Sequence, residues 1–293
     1  MLCGMSRIAI IGGGNIGEAL LSGLLRSGRQ VKDLVVAEKD PNRAKILADT
    51  YSVYVTTVTD AAENADFVIV AVKPGDVGSI IAEISEASAL ADTESEQVVV
   101  SVAAGVTTAF FEAKLPAGAP VVRVMPNAPA VVGAGVSALA PGRFATPEHL
   151  KEVAAIFDAV GGAITVPESQ LDAVTAVSGS GPAYFFLMVE AMVDAGVAVG
   201  LTRPVATDLV VQTMAGSAAM LLERLDKAQF KGDAALGTTM DTTATQLRAT
   251  VTSPGGTTAA GLRELERGGM RAAVANAVEA AKRRSEQLGI TSE

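Results

Sequence analysis

The chain changes its hydrophobic rhythm near residue 167. Before that point, short runs of apolar and largely β-branched residues alternate with stretches of helical spacing. Strand candidates are residues 7–12, 34–37, 67–72 (FVIVAV), 98–101 and 121–124. Between them, residues 17–27 repeat apolar or small side chains at helical intervals (Ala19, Leu20, Gly23, Leu24), and 43–48 and 110–114 are further helical stretches. Strands apolar on both faces and joined by helices predict a parallel sheet covered on both sides. Residues 136–140 and 163–166 read as strands at its far edge. A helix over 147–160 joins these two, with Thr146 as N-cap, Pro147 at the first helical position and Gly161-Gly162 as the stop.

After about residue 167 the strands disappear. Helices are predicted over 182–200, 204–225, 258–268 and 270–288. Residues 205–222 carry a single charge, Asp208, and are apolar or small on nearly every face. A helix that is apolar all round must be buried, and a domain of about 125 residues has little interior in which to bury it. Two arrangements satisfy it: helices of two chains packed at a subunit interface, or a central helix in a monomeric bundle. Residues 227–245 are polar and Gly/Thr-rich and read as a loop, while Lys282-Arg283-Arg284 reads as a solvated helix face near a C-terminus. The expected division is therefore a domain over 1–166 followed by an all-helical domain over 167–293.

Composition narrows the chemistry. The 293 residues are 49% hydrophobic and 19% charged, with a net charge of −9, which fits about two folded domains and not a disordered chain. An acidic chain with 4% aromatics and no Trp lacks the basic footprint and stacking platforms of a nucleic-acid binder. One Cys (Cys3) and one His (His149) allow no intramolecular disulfide and no Cys/His zinc cage, so no metal site is expected. A single thiol fits a reducing cytoplasm. The apolar run 8–11 ends in three glycines and reads as a buried strand, not a secretory leader. The long charge-poor stretch 124–142 is broken by Pro126, Pro129 and Pro141, unlike a bilayer span, so a soluble, cytoplasmic protein without a membrane partner is expected.

The sharpest local signal is Gly12-Gly13-Gly14-Asn15-Ile16-Gly17, which fits G-x-G-x-x-G between a strand and a helix. The first glycine permits a tight turn, the second admits a pyrophosphate to the backbone, and the third allows close helix–strand packing. The free N–H groups at the helix start then face the phosphates. Glu38 ends the second strand at the spacing this motif requires, about 20 residues on. Its carboxylate suits a ribose 2′-hydroxyl and repels a 2′-phosphate, which tilts the choice between NADPH and NADH toward NADH; Lys39 and Arg43 lie close by and pull the other way. Ala71-Val72-Lys73-Pro74 and the 101–105 segment, with Ala103 and Ala104, end the next two strands and should line the dinucleotide. Lys73 suits either a catalytic acid or a surface lysine beside a phosphate. Asn127 ends the fifth strand and suits either a cofactor carboxamide or substrate, or a structural place in a proline turn.

Two segments in the helical half stand out. Ser178-Gly179-Ser180-Gly181-Pro182 and Ser253-Pro254-Gly255-Gly256-Thr257-Thr258 each place a Ser/Thr- and Gly-rich turn before a helix. Free N–H groups at such a turn form a cradle for a carboxylate. Plain helix capping by the hydroxyls is the alternative for either one.

At these residues the chain resembles the Δ1-pyrroline-5-carboxylate reductase family, through IAIIGGGNIGEAL, AVKP, RVMPNAP, DAVTAVSGSGPAY and LRATVTSPGGTTAAGL in that order. The resemblance runs nearly end to end and is most specific in the last two motifs. It implies an α/β architecture: an N-terminal Rossmann-type domain that binds NADPH or NADH, then an all-α domain that exchanges helices with a partner. Homodimers result, and in many members these assemble into decamers. It also implies reduction of a cyclic imine to L-proline. By the same resemblance Ser253, Gly255, Gly256 and Thr257 hold the substrate carboxylate, and Thr258 lies near the ring nitrogen, making Thr258 and Ser253 the catalytic candidates. Ser178, Ser180 and Gly181 close the site beneath the nicotinamide.

The chain also departs from the family. Thr243-Ala244 stands where relatives carry His-Pro. Asp241 falls where relatives place an acid near the substrate nitrogen, with a shorter side chain. Glu38 replaces a small hydroxyl residue that suits a 2′-phosphate. Two rival classes are a β-hydroxyacid-type dehydrogenase, which needs a lysine on a helix of the second domain, where the helical half before Lys282 holds only Lys227 and Lys231 in the polar segment, and a dinucleotide sensor, which needs no carboxylate cradle.

Overall fold

The structure, a computed structural model, describes residues 6–90, 96–230 and 243–290. Eight strands among them form one sheet: β1 (Ile8–Ile11), β2 (Leu34–Ala37), β3 (Tyr54–Thr56), β4 (Phe67–Val70), β5 (Val98–Ser101), β6 (Val121–Met125), β7 (Gly135–Pro141) and β8 (Gly161–Thr165). Their order is β3-β2-β1-β4-β5-β6-β7-β8. The chain order reverses across the β1–β4 pair, so the crevice beyond the ends of β1 and β4 is the topological switch point where such sheets take ligands. Each side of the sheet has its own core. Along β1, Ile8 and Ile10 join Leu20, Leu24 and Phe157 on one face, while Ala9 and Ile11 join Ile81, Ile84 and Phe111 on the other. That alternation is the period-two geometry of a strand buried on both sides.

All neighbours pair in parallel except β6 and β7. The exception has a simple cause. Only a short turn through a 3₁₀ segment (Ala128–Val132) separates β6 from β7, and a parallel return needs a crossover of about a dozen residues or more.

Helices cover the sheet: α1 (Asn15–Arg26), α2 (Pro41–Tyr51), α3 (Val58–Ala62), α4 (Val77–Leu90), α5 (Thr108–Glu112) and α6 (Pro147–Phe157). The Thr146 cap is as expected. Its hydroxyl accepts from the His149 amide, and His149 Nδ1 accepts from the Thr146 amide, so the chain's one histidine completes a capping box. There follow α7 (Leu171–Val174), a π-helical turn (Thr175–Gly179), α8 (Gly181–Ala198), α9 (Arg203–Phe230), α10 (Thr243–Thr250), α11 (Thr257–Arg267) and α12 (Met270–Ile290).

The chain divides into two compact units, Met1–Pro182 with Val278–Glu293, and Ala183–Ala277. The sheet-bearing unit therefore runs past residue 166 and takes in the end of α12. Specific contacts account for this. The Glu168 carboxylate accepts from the Thr108 amide (2.8 Å) and hydroxyl (2.7 Å) and pairs with the buried Arg123 at 3.2 Å. Leu171 is buried with Ala138 and Ala140. Ser285 Oγ donates to Asp172 Oδ1 at 2.6 Å.

In the second unit α9 is not the central helix of a monomeric bundle. Leu209, Val211, Met214 and Leu222 on α9 are exposed in the protomer, as are Phe185, Phe186 and Leu187 on α8. The stretches Glu168–Ala198 and Arg203–Leu225 are long and apolar enough to cross a bilayer by length and composition, and little of either is buried in the protomer. Large apolar side chains exposed along both helices mark a contact face. The segment 227–245 is helical wherever it is described, since α9 runs to Phe230 and α10 starts at Thr243. Residues 231–242, with Lys231 and Asp241, lie outside the described residues.

Candidate active site

The glycine turn is built by close approach. Gly12 follows β1 with φ +105, and a Cβ there would lie 2.6 Å from the Ala71 carbonyl oxygen. A Cβ on Gly17 would lie 2.0 Å from the Gly12 carbonyl oxygen, so α1 meets the turn with no room for a methyl group. Gly14 differs, because a Cβ on it would meet nothing within 4 Å. It is the N-cap of α1, and no side chain caps that helix. The turn thus leaves open space over an uncapped helix N-terminus, where the partial positive charge of the helix suits an anion.

Beside the turn lies a cleft of about 650 Å³ in the sheet-bearing unit. It gathers Gly12, Gly14, Glu38, Lys39, Ala71, Val72 and Lys73 from the sequence-derived set. Glu38 Oε2 accepts from the Gly13 amide at 2.8 Å, and Oε1 accepts from the Asp40 amide at 2.9 Å. Lys39 Nζ meets Asp76 Oδ2 at 3.1 Å. Lys73 is exposed at the rim, just ahead of a 3₁₀ turn (Pro74–Asp76). Asn15 lines a separate pocket with Glu18, Ser22 and Tyr51, and Ile16, Gly17, Pro74, Ala103, Ala104 and Asn127 are not in the cleft wall. Thr56, Thr57, Asp76, Ser79 and Glu83 line it without having been foreseen. Their only sequence signal was Thr57, an N-cap whose hydroxyl accepts from the Asp60 amide at 3.2 Å.

Asn127 is committed to the protein. Its Oδ1 accepts from the Val136 amide at 2.9 Å and its Nδ2 donates to Ser178 Oγ at 3.2 Å. The RVMPNAP and SGSGP motifs are thereby tied together. The SGSGP segment itself corrects an expectation. In place of a free-amide turn, Ser178 and Gly179 end the π-helical turn, the Ser180 amide donates to the Thr175 carbonyl at 2.8 Å, and Gly181-Pro182 open α8. Gly179 packs closely against the flexible end of Met125, where a Cβ would lie 2.8 Å from Cε. A single π-turn within a helix is a frequent marker of functional sites.

In the second unit, Ser253 to Gly256 make a tight turn. The Gly256 amide donates to the Ser253 carbonyl at 3.0 Å, with Gly255 at φ +70. Gly256 is the N-cap of α11, and no side chain caps it. The neighbouring hydroxyls of Thr250 and Thr252 donate instead to the carbonyls of Leu247 and Arg248, at 2.7 and 2.6 Å. Helix capping therefore does not account for this hydroxyl-rich turn. Ser253, Thr257 and Thr258 remain exposed in the protomer.

Behind the glycine turn, Tyr51 Oη donates to Glu18 Oε1 at 3.0 Å. Burial first, and then this bond, raise the phenol above its ordinary 10.0. A raised acid pKa means that the fold favours the neutral phenol, so its contribution is present at neutral pH and is lost as pH rises through the shifted value. In an alkaline absorbance titration, one tyrosinate transition is expected above 10.0, and Tyr51→Phe should remove it. Loss of a transition at or below 10.0 would contradict the assignment.

An open sheet with a glycine turn at its switch point, an uncapped helix start and an acid directly after β2 defines an NAD(P)-dependent oxidoreductase, here followed by a helical domain. A family model described as NADP oxidoreductase, coenzyme F420-dependent, matches residues 7–105. One described as pyrroline-5-carboxylate reductase dimerisation matches residues 168–288. A pyrroline-5-carboxylate reductase of Mycobacterium leprae is 70% identical over the whole of both chains. The solved structure of a Coxiella burnetii pyrroline-5-carboxylate reductase aligns with TM-score 0.85 at 34% identity, covering 97% of this chain and 98% of that one. The Plasmodium falciparum pyrroline carboxylate reductase, solved with NADP bound, aligns with TM-score 0.78 at 28% identity and the same coverage. The chain belongs to the pyrroline-5-carboxylate reductase family.

Proposed function

We propose that this chain reduces 1-pyrroline-5-carboxylate to L-proline at the expense of NADH or NADPH, the last step of proline biosynthesis, in the cytoplasm. The observation that carries the assignment is the uncapped Ser253–Thr258 turn into α11, a neutral carboxylate cradle in a chain that also holds a dinucleotide cleft. When bound, the reduced nicotinamide cofactor supplies a hydride. The residues fit that group, because the open space at Gly14 and the uncapped start of α1 suit a pyrophosphate without a charged side chain. Gly12, Gly14, Asn15, Ile16 and Gly17 hold it through the backbone. Glu38 accepts from the ribose, and Lys39, Ala71, Val72, Lys73, Pro74, Ala103 and Ala104 flank it.

The substrate needs little activation. Its imine carbon is already electrophilic, and protonation of the ring nitrogen makes it more so. Ser253, Gly255, Gly256 and Thr257 hold the carboxylate, and the Thr258 hydroxyl serves the ring nitrogen. Asn127 braces Ser178, beside Ser180 and Gly181, and flanks the cofactor with its remaining N–H. The domain roles follow: a dinucleotide-binding half, and a helical half that binds substrate and dimerises. A second copy covers the apolar faces of α8 and α9.

The test is oxidation of NADH and NADPH followed by absorbance, first with pyrroline-5-carboxylate and then with β-keto acids and semialdehydes. Activity with the imine alone is expected. Activity only with carbonyl substrates would indicate a hydroxyacid-type dehydrogenase, and none with any substrate a sensor. Wild type is expected to prefer NADH. Glu38→Ser should raise the NADPH-to-NADH ratio of kcat/KM by about tenfold or more, because it removes a negative charge beside the 2′ position. Equal efficiency with both cofactors in wild type would contradict the role of Glu38.

A further inference from the structure

The glycine turn is held from behind by α2. Arg43 Nε donates to the Gly13 carbonyl at 2.7 Å, and Arg43 Nη2 pairs with Glu18 Oε2 on the first turn of α1. The other oxygen of Glu18 is taken by Tyr51 Oη at the end of α2. Asp40 fixes the start of α2, its Oδ1 accepting from the amides of Asn42 and Arg43 at 2.8 and 3.0 Å. Arg43 and Glu18 have side chains only 29% and 30% exposed, so their pairing is partly desolvated.

Peptide geometry gives this contact a consequence for ligand binding. In a trans peptide the carbonyl and the following N–H point in opposite directions within one plane. Holding the Gly13 carbonyl against the guanidinium therefore aims the Gly14 N–H away from Arg43. The preceding peptide is fixed as well, since the Gly13 N–H donates to Glu38 Oε2 at 2.8 Å. Glycine has the widest backbone freedom of any residue, and a run of three would otherwise sample many orientations of these peptides. Arg43 and Glu38 remove that freedom from opposite ends of Gly13.

We propose that Arg43 is a positioning residue for the dinucleotide: it orients the Gly13–Gly14 peptide that meets the phosphates and takes no part in reading the ribose 2′ position. The inference rests on the assignment of the cleft as the dinucleotide site. Sequence position alone made Arg43 a candidate for a 2′-phosphate. In the structure its guanidinium is engaged by Gly13 and Glu18, and Arg43 is absent from the cleft wall. Lys39, exposed and paired with Asp76, is the cation that the cleft offers beside Glu38.

The test is calorimetric titration of NADH and of NADPH into wild type, Arg43→Met, Arg43→Lys and Glu18→Gln, with thermal melting of each. Arg43→Met should weaken both dinucleotides by the same factor, about tenfold, as expected for loss of a hydrogen bond from a charged donor. The NADPH-to-NADH ratio of Kd should stay at the wild-type value. Arg43→Lys keeps the charge but cannot bridge both partners, so it should recover part of the loss. Glu18→Gln, which releases Arg43 without touching the cleft, should move both Kd values in the same direction. In steady state the loss should fall on the KM for dinucleotide, with kcat changed by less than about twofold. Weakening of NADPH alone would overturn the proposal and make Arg43 a 2′-phosphate ligand. Unchanged Kd values in Arg43→Met, or in both other variants should that one not fold, would overturn it too. Failure of wild type to bind either dinucleotide would instead remove the assignment of the cleft.

Discussion

Gly17→Ala is expected to lower dinucleotide affinity by about a hundredfold or more, with a loss of stability of about 1–3 kcal/mol from overpacking. The added methyl would lie 2.0 Å from the Gly12 carbonyl oxygen and 3.1 Å from its carbon, and both are backbone atoms. Gly12 cannot retreat, because it sits at φ +105 against Ala71 and Val72. The start of α1 must therefore tip away from the turn, carrying the uncapped amides with it. Gly14→Ala is the informative companion. Its methyl meets no protein atom within 4 Å, so melting should be unchanged, yet it projects into the space the phosphates need. Titration calorimetry with melting curves separates the two: Gly17→Ala loses both affinity and stability, and Gly14→Ala loses affinity alone. Wild-type affinity in Gly17→Ala would contradict the account of the turn.

Thr258→Ala is expected to lower kcat by about a hundredfold, the scale seen when one catalytic hydrogen-bonding group is removed. Dinucleotide Kd should change by less than about twofold, since Thr258 is not in the cleft wall. Folding should survive: Thr258 is exposed near the start of α11, and alanine is the better helix former. Thr258→Ser keeps the hydroxyl and should recover most of the turnover. Unchanged kcat in Thr258→Ala would remove its catalytic role, and a matching loss in Kd would show that the substitution acts on the cleft.

Much of the sheet was legible because strands buried on both faces have little choice of residue. FVIVAV announces β4, although the strand ends at Val70 so that Ala71 can accept the approach of Gly12. The glycine turn was legible because its spacing encodes steric limits that the structure reproduces atom by atom. The edge strand β3 was missed, since three residues at an exposed margin carry almost no periodic signal. Helix α4 was missed although Val77, Ile81, Ile84 and Ala87 form a buried stripe at helical spacing, because its start directly after the Lys73-Pro74 turn carries no side-chain cap signal.

The direction of β7 is a property of loop length rather than of residue type. The π-turn at Thr175–Gly179 could not be read either, because a Ser/Gly-rich run signals a turn in a sequence, whereas here its first residues continue the helix that begins at Leu171. Asn127 and Arg43 show the limit of reading residue types alone. Both have chemistry suited to a ligand, and in both the structure shows bonds to protein groups that residue type alone does not announce.

The most direct test of the central claim is product analysis with pyrroline-5-carboxylate and reduced cofactor carrying deuterium at both nicotinamide C4 positions. L-Proline should form one for one with dinucleotide oxidised, and the deuterium should appear at C5 of the ring. Oxidation without proline, or proline without label at C5, would contradict the assignment.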